Sequence, residues 1–244
     1  MTPEEYILQG LAAQFPDRKF SPDNLKLKHK GRFANALVFR YQDGDLDLTI
    51  KDFKHCPWPI GTTFGRFCIS QEYRAMKRME GVKGVTPAAY RLASLTVAYH
   101  YIKGIPLSEL SERRMKLPAE FFTKMETLVA TMHQRGLVHL DLRNMGNILA
   151  GDDGAPYMID FQSSMSLRIV PSMLHNLLKA TDVSGIYKAW IRCGETPIPP
   201  EKEAFYHEFN RIRKFWVLRG YPFRRTWAKF FKKDPQKPST PSKA

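Results

Sequence analysis

Between Pro118 and Phe161 the hydrophobic period of the chain changes abruptly, and that change limits the folds open to it. Phe121, Phe122, Met125, Leu128, Val129 and Met132 recur at intervals of three and four, which lays one apolar stripe along a helix. Gly136 ends the stripe, and Leu137 to Leu149 follows at once. A turn at Gly151-Asp152-Asp153-Gly154 then leads to the short apolar run Tyr157 to Ile159, closed by Asp160-Phe161. The pattern predicts a buried helix leading directly into a small β-hairpin, with the carboxylates Asp141 and Asp160 at its two outer ends. A lone Asp after a helix or strand usually does no more than solvate a chain end. The ordered set His139, Asp141, Asn147, hairpin, Asp160-Phe161 is much harder to obtain by chance.

Upstream the signals are those of a sheet. Leu25 to Lys51 reads as a β-meander in which Ala36 to Tyr41 and Leu46 to Phe53 flank the turn former Asp43-Gly44. Cys68 to Met79 has the spacing of a helix, stopped by Gly81, Gly84 and Pro87, and Leu95 to Ile102 reads as a further strand ending at Gly104 and Pro106. From about Ser172 to Lys233 the pattern is mainly helical. No internal repeat is present. The expected fold is α+β and bilobal: a small N-terminal antiparallel β lobe with one helix (1–102), a larger mainly helical C-terminal lobe (103–233) and a loose tail (234–244) rich in Pro, Ser and Lys.

Charge narrows the partners. The 38 Lys and Arg against 24 Asp and Glu leave +14, which favours an anionic partner such as nucleotide, nucleic acid or acidic headgroups. Cys56, Cys68 and Cys193 are far apart and form no Cys-x-x-Cys pair, so neither a zinc site nor a disulfide framework is expected. Residues 1–10 carry Glu4 and Glu5 and do not read as a signal peptide. No uncharged apolar run approaches the ~20 residues that span a bilayer. The expected location is cytoplasmic, with room for peripheral contact at the inner face of a membrane.

His139-Leu140-Asp141-Leu142-Arg143, followed by Asn147-Ile148-Leu149 and Ile159-Asp160-Phe161, resembles the catalytic loop and metal-binding element of protein kinases. The resemblance implies that Asp141 accepts the proton of the acceptor hydroxyl, that Asp160 holds Mg²⁺ and that Asn147 is a second metal ligand. Lys51, at the end of Leu48-Thr49-Ile50-Lys51, and Glu72, in the following helix, match the pair that clamps the nucleotide phosphates. Lys54 and Glu80 are their competitors. Gly31, Ala34 and Asn35, in Lys30-Gly31-Arg32-Phe33-Ala34-Asn35-Ala36, match the loop over the phosphates of ATP, with one Gly where typical protein kinases have three. By the same resemblance His139 braces the catalytic loop.

That loop, Glu72-Tyr73 and Gly84-Val85-Thr86-Pro87 are similar to the atypical RIO-type kinases. Asn147 lies one residue further from Asp141 than is usual, so Asn144 stays open as the metal ligand. Gln162 replaces the Gly of Asp-Phe-Gly, and no Ala-Pro-Glu follows. A short activation segment is shared by RIO-type kinases and by bacterial kinases of lipopolysaccharide core sugars. The implied function is ATP-dependent transfer to a hydroxyl acceptor, either a core sugar of a glycolipid or a protein serine or threonine, with a nucleotide-binding pseudokinase as the non-catalytic alternative. Between Arg211 and Lys233 nine Lys or Arg and no acid are interleaved with Phe215, Trp216, Trp227, Phe230 and Phe231. That segment is expected either to pack on the helical lobe or to meet an anionic membrane surface. Nucleic acid is the least favoured partner, because no recognition helix or zinc module accompanies the charge.

Overall fold

The computed structural model describes residues 1–31, 36–56 and 61–214. Its first element is a helix, α1 (Pro3–Gln14), that adds to the expected ones. Thr2 Oγ1 accepts from the Glu5 amide at 3.2 Å and Glu5 Oε2 accepts from the Thr2 amide at 2.9 Å, so a capping box with Pro3 in the first turn starts it. Strands β1 (Leu25–His29), β2 (Leu37–Asp43) and β3 (Leu46–Asp52) form the expected meander. After helix α2 (Arg66–Met79) come β4 (Ala89–Ala93) and β5 (Thr96–His100). The five strands make one antiparallel sheet in the order β1-β2-β3-β5-β4.

Strand alternation decides what each face of this sheet holds. Leu46, Leu48 and Ile50 of β3 point to one side, where they pack with Phe39, Tyr41, Ala98 and the α1 residues Ile7 and Leu11. Lys51 is out of phase with them. Its cross-strand partner is Val97, and partners share a face. Val97 packs with Phe53, Cys68, Ile69 and Met76 on the α2 side. The same period that buries the apolar residues under α1 therefore aims Lys51 at α2.

The second half begins with β6 (Gly104–Pro106) and the short helix α3 (Leu107–Glu112), then α4 (Ala119–Gln134). All six residues of the α4 stripe are buried, and Phe122 stacks on Trp190 with centroids 5.1 Å apart. Next come β7 (Leu137–Val138), β8 (Ile148–Gly151), β9 (Pro156–Met158) and β10 (Met165–Ser166). The β8–β9 hairpin is the expected one, and β6 pairs with its other edge; β7 pairs with β10. Helices α5 (His175–Cys193) and α6 (Pro200–Lys214) complete the helical half. The fold is thus mixed, with an antiparallel sheet lobe followed by a mainly helical one. Most of the basic aromatic segment, Phe215 to Lys233, lies outside the described residues.

Gly84, in the link from α2 to β4, is where this link closes on the helical half. Its φ is +94°, and a Cβ there would stand 2.6 Å from Leu128 Cδ2 and 2.9 Å from the Pro156 carbonyl oxygen. The Met158 amide donates to the Gly84 carbonyl at 2.7 Å. Gly84→Ala combines left-handed strain with overpacking against backbone and is expected to cost about 2–4 kcal/mol. Urea unfolding of the variant measures this, and an unchanged midpoint contradicts the packing described.

Candidate active site

Lys51 is the point at which three distant segments meet. Its Nζ lies 2.7 Å from Glu72 Oε1 on α2 and 2.7 Å from Asp160 Oδ1, 109 residues further along the chain. The Lys51 side chain is 10% exposed, that of Glu72 is fully buried and that of Asp160 is 39% exposed. Burial alone pushes an ammonium toward neutrality, but Asp160 and Glu72 outweigh it and hold Lys51 firmly protonated. Lys51 in turn keeps the Asp160 carboxyl below its ordinary range. For Glu72 burial wins over Lys51 and pushes the carboxyl up to about 6, in keeping with an Oε2 that has no hydrogen-bond partner. The competitors are engaged elsewhere. Lys54 Nζ sits 3.5 Å from the Tyr6 ring centroid, and Glu80 pairs with Lys77 at 2.6 Å.

Asp141 and Asp160 each adjoin a backbone position that L-residues seldom adopt. Leu140 has φ +66° and Asp160 itself φ +64°, at roughly 1–2 kcal/mol each. A buried carboxylate absent from the expectations offsets the first. Asp182 of α5 accepts from the amide of His139 at 2.9 Å and from that of Leu140 at 2.7 Å, and contacts His133 Nε2 at 3.0 Å. His139 is fully buried, packs on Phe161 at 4.9 Å and places Nε2 3.0 Å from the Ile159 carbonyl oxygen. It therefore ties the segment before Asp141 to the one before Asp160. Because Asp160 carries the left-handed φ and Phe161–Ser163 form a 3₁₀ turn, Gln162 fits where a Gly is usual.

The side chain of Asn147 is hydrogen-bonded to Asp141, whereas Asn144 meets it through its backbone amide, which donates to the Asp141 carbonyl at 3.1 Å. Asn147 Nδ2 donates to Asp141 Oδ2 at 2.9 Å and to its carbonyl oxygen at 3.1 Å. Asn144 is occupied locally: its Oδ1 accepts from the Gly146 amide at 3.2 Å, and its Nδ2 lies 3.3 Å from Asn147 Oδ1. Gly31 lies two residues after the end of β1, whereas Ala34 and Asn35 lie outside the described residues. Asp160 and Asn147 offer hard oxygen donors, and Asp160 is the more exposed. A carboxylate and an amide oxygen suit Mg²⁺, which takes few protein ligands and fills its shell with phosphate and water.

The Glu72 carboxyl titrates near 6 in the native protein against an ordinary 4.5. Between those values the native state binds more protons than the unfolded chain, so this group makes stability fall as pH rises from 4.5 to 6. Unfolding free energies of wild type and Glu72→Gln at the two pH values isolate it. The wild type should lose more stability than the variant on going from the lower to the higher pH, and equal changes would contradict the assignment.

Comparison with known proteins bears on the family and the fold. The model of the RIO domain matches residues 60–201, more than half of the chain and a span holding Glu72, Asp141, Asn147 and Asp160. A crystal structure of the Rio2 kinase from Chaetomium thermophilum superposes with a TM-score of 0.57 at 15% identity, covering 84% of this chain and 67% of that one. The Rio2 kinase-ADP/Mg²⁺-phosphoaspartate complex from the same organism gives a TM-score of 0.55 at 15% identity, covering 83% of this chain and 65% of that one. This chain thus spans about two thirds of either relative, and at such identity the likeness speaks for the fold alone. No curated protein sequence matches significantly. The chain belongs to the RIO domain family, atypical members of the protein-kinase-like phosphotransferases.

Proposed function

We propose that this protein transfers the γ-phosphoryl group of Mg-ATP to an acceptor hydroxyl, in a cleft between an N-terminal lobe of residues 1–102 and a C-terminal lobe that begins at 103. The observation that carries the reading is the Lys51 ammonium held between Glu72 and Asp160 at 2.7 Å each. In this reading Glu72 fixes the direction of Lys51, and Lys51 meets the nucleotide phosphates together with the loop that starts at Gly31 and includes Ala34 and Asn35. Asp160 and Asn147 would hold Mg²⁺, which when bound neutralises charge on the phosphates. Asp141, steadied by Asn147, accepts the proton of the acceptor hydroxyl as the new O–P bond forms and the bond to the departing ADP oxygen breaks. Binding without turnover, the pseudokinase alternative, is less well supported, since Lys51, Glu72, Asp141, Asn147 and Asp160 are all present.

Family membership favours a protein serine or threonine as acceptor. A lipopolysaccharide core sugar and an anionic membrane surface draw on the basic aromatic residues up to Lys233, and neither the family match nor the two relatives lends them support. No helix among the described residues is long and apolar enough to cross a membrane. A cytoplasmic location goes with the protein-kinase reading.

Labelled ATP offered to soluble lysate protein and, separately, to cell-envelope lipid distinguishes the acceptors. Asp141→Asn should lower transfer by about 10²–10⁴-fold while leaving Mg-nucleotide binding nearly unchanged. Full activity of this variant would refute the role given to Asp141.

A further inference from the structure

The face of α5 turned toward the catalytic loop does more than hold the loop in place. Asp182, Gly185 and Lys188 recur every three residues along it. Asp182 meets the amides of His139 and Leu140. At Gly185 the helix touches loop backbone, for a Cβ there would lie 2.7 Å from the Leu142 carbonyl carbon and 2.9 Å from the Arg143 nitrogen. That close approach lets Lys188 place Nζ 2.6 Å from the Arg143 carbonyl oxygen, two residues beyond Asp141. An ammonium has three protons to donate, and the other two have no hydrogen-bond acceptor among the described residues.

The surroundings of Lys188 are unusually positive. Arg143 is pinned by neutral partners only, with Nη1 2.8 Å from Ser184 Oγ and Nη2 3.0 Å from Asn210 Oδ1. Arg213, near the end of α6, shares with Leu140 the wall of a hollow next to the loop. None of the ion pairs among the described residues involves Arg143, Lys188 or Arg213. Burial first, and then Arg192, Arg143 and Arg213, push Lys188 below the ordinary range of a lysine, while Asp141 opposes them. Partly desolvated cations without a carboxylate in contact gain most from an incoming anion.

Resting on the phosphotransferase reading of Asp141, we infer that Lys188, with Arg143 and Arg213 beside it, forms a subsite for a compact oxyanion, phosphate or carboxylate, that the acceptor carries close to its reacting hydroxyl. Lys188 supplies the direct contact. Arg143, already oriented by Ser184 and Asn210, and Arg213 supply the field. The acceptor class is then an anionic molecule, such as a phosphorylated or acidic one, seated beside the loop that carries Asp141.

Inorganic phosphate is the probe, titrated calorimetrically into the full chain with and without saturating Mg²⁺ and a non-hydrolysable ATP analogue. The wild type should bind phosphate in both states. Lys188→Gln should weaken it about tenfold or more, Lys188→Arg should restore most of the loss, and Arg213→Gln, the fallback if Lys188→Gln fails to fold, should weaken it severalfold. No phosphate binding by the wild type, equal affinity in wild type and Lys188→Gln, or complete displacement of phosphate by the nucleotide analogue would overturn the inference. So would Lys188-dependent binding to phosphatidylglycerol vesicles without Lys188-dependent phosphate binding, because the cations would then serve a lipid headgroup. Failure of the wild type to bind the nucleotide analogue strikes the phosphotransferase reading instead, and the nucleotide-free phosphate titrations still decide this one.

Discussion

The ammonium of Lys51 between Glu72 and Asp160 joins the three parts of the molecule on which its chemistry depends. A strand, a helix and a loop from the other half of the chain must all be in place before both 2.7 Å contacts exist. Burying these charges is unfavourable in itself, and a buried pair gains stability only when its geometry is well satisfied. Removing one partner leaves an uncompensated charge and costs ~3–5 kcal/mol. The trio is therefore weak as a source of net stability and strong as a constraint on geometry. The Glu72 oxygen without a partner and its raised proton affinity are the trace of that cost.

A second buried carboxylate does the corresponding work beneath Asp141. Asp182 collects the His139 and Leu140 amides and so compensates the left-handed backbone at Leu140, while His139 carries the constraint across to Ile159. Strain at functional positions persists only where the surroundings over-determine it. Here α5 provides that support from one side and the β8–β9 hairpin from the other.

Much of this was legible in the sequence because it is local. The run Leu46 to Phe53 reads as a strand that brings Lys51 with it, and the stripe from Phe121 to Met132 predicts the buried face of α4. The order of Lys51, Glu72, Asp141, Asn147 and Asp160 was readable through family resemblance, whereas the hydrogen bond of the Asn147 side chain to Asp141 and the local engagement of Asn144 were not. The capping box of Thr2 and Glu5 announces α1, but an amphipathic signal too weak to stand out accompanies it. Asp182 had no such signal, since its partners lie more than forty residues upstream, and nothing in its neighbourhood marks a helical Asp as buried. The same holds for Lys188, whose role depends on a close approach at Gly185 that only the packing reveals.

A crystal structure with Mg²⁺ and a non-hydrolysable ATP analogue tests the central claim most directly. The account predicts metal on the Asp160 carboxylate and the Asn147 amide oxygen, Lys51 Nζ turned to the nucleotide phosphates, and the terminal phosphate facing Asp141. A metal held by Asn144, or a nucleotide bound away from Lys51, would contradict it.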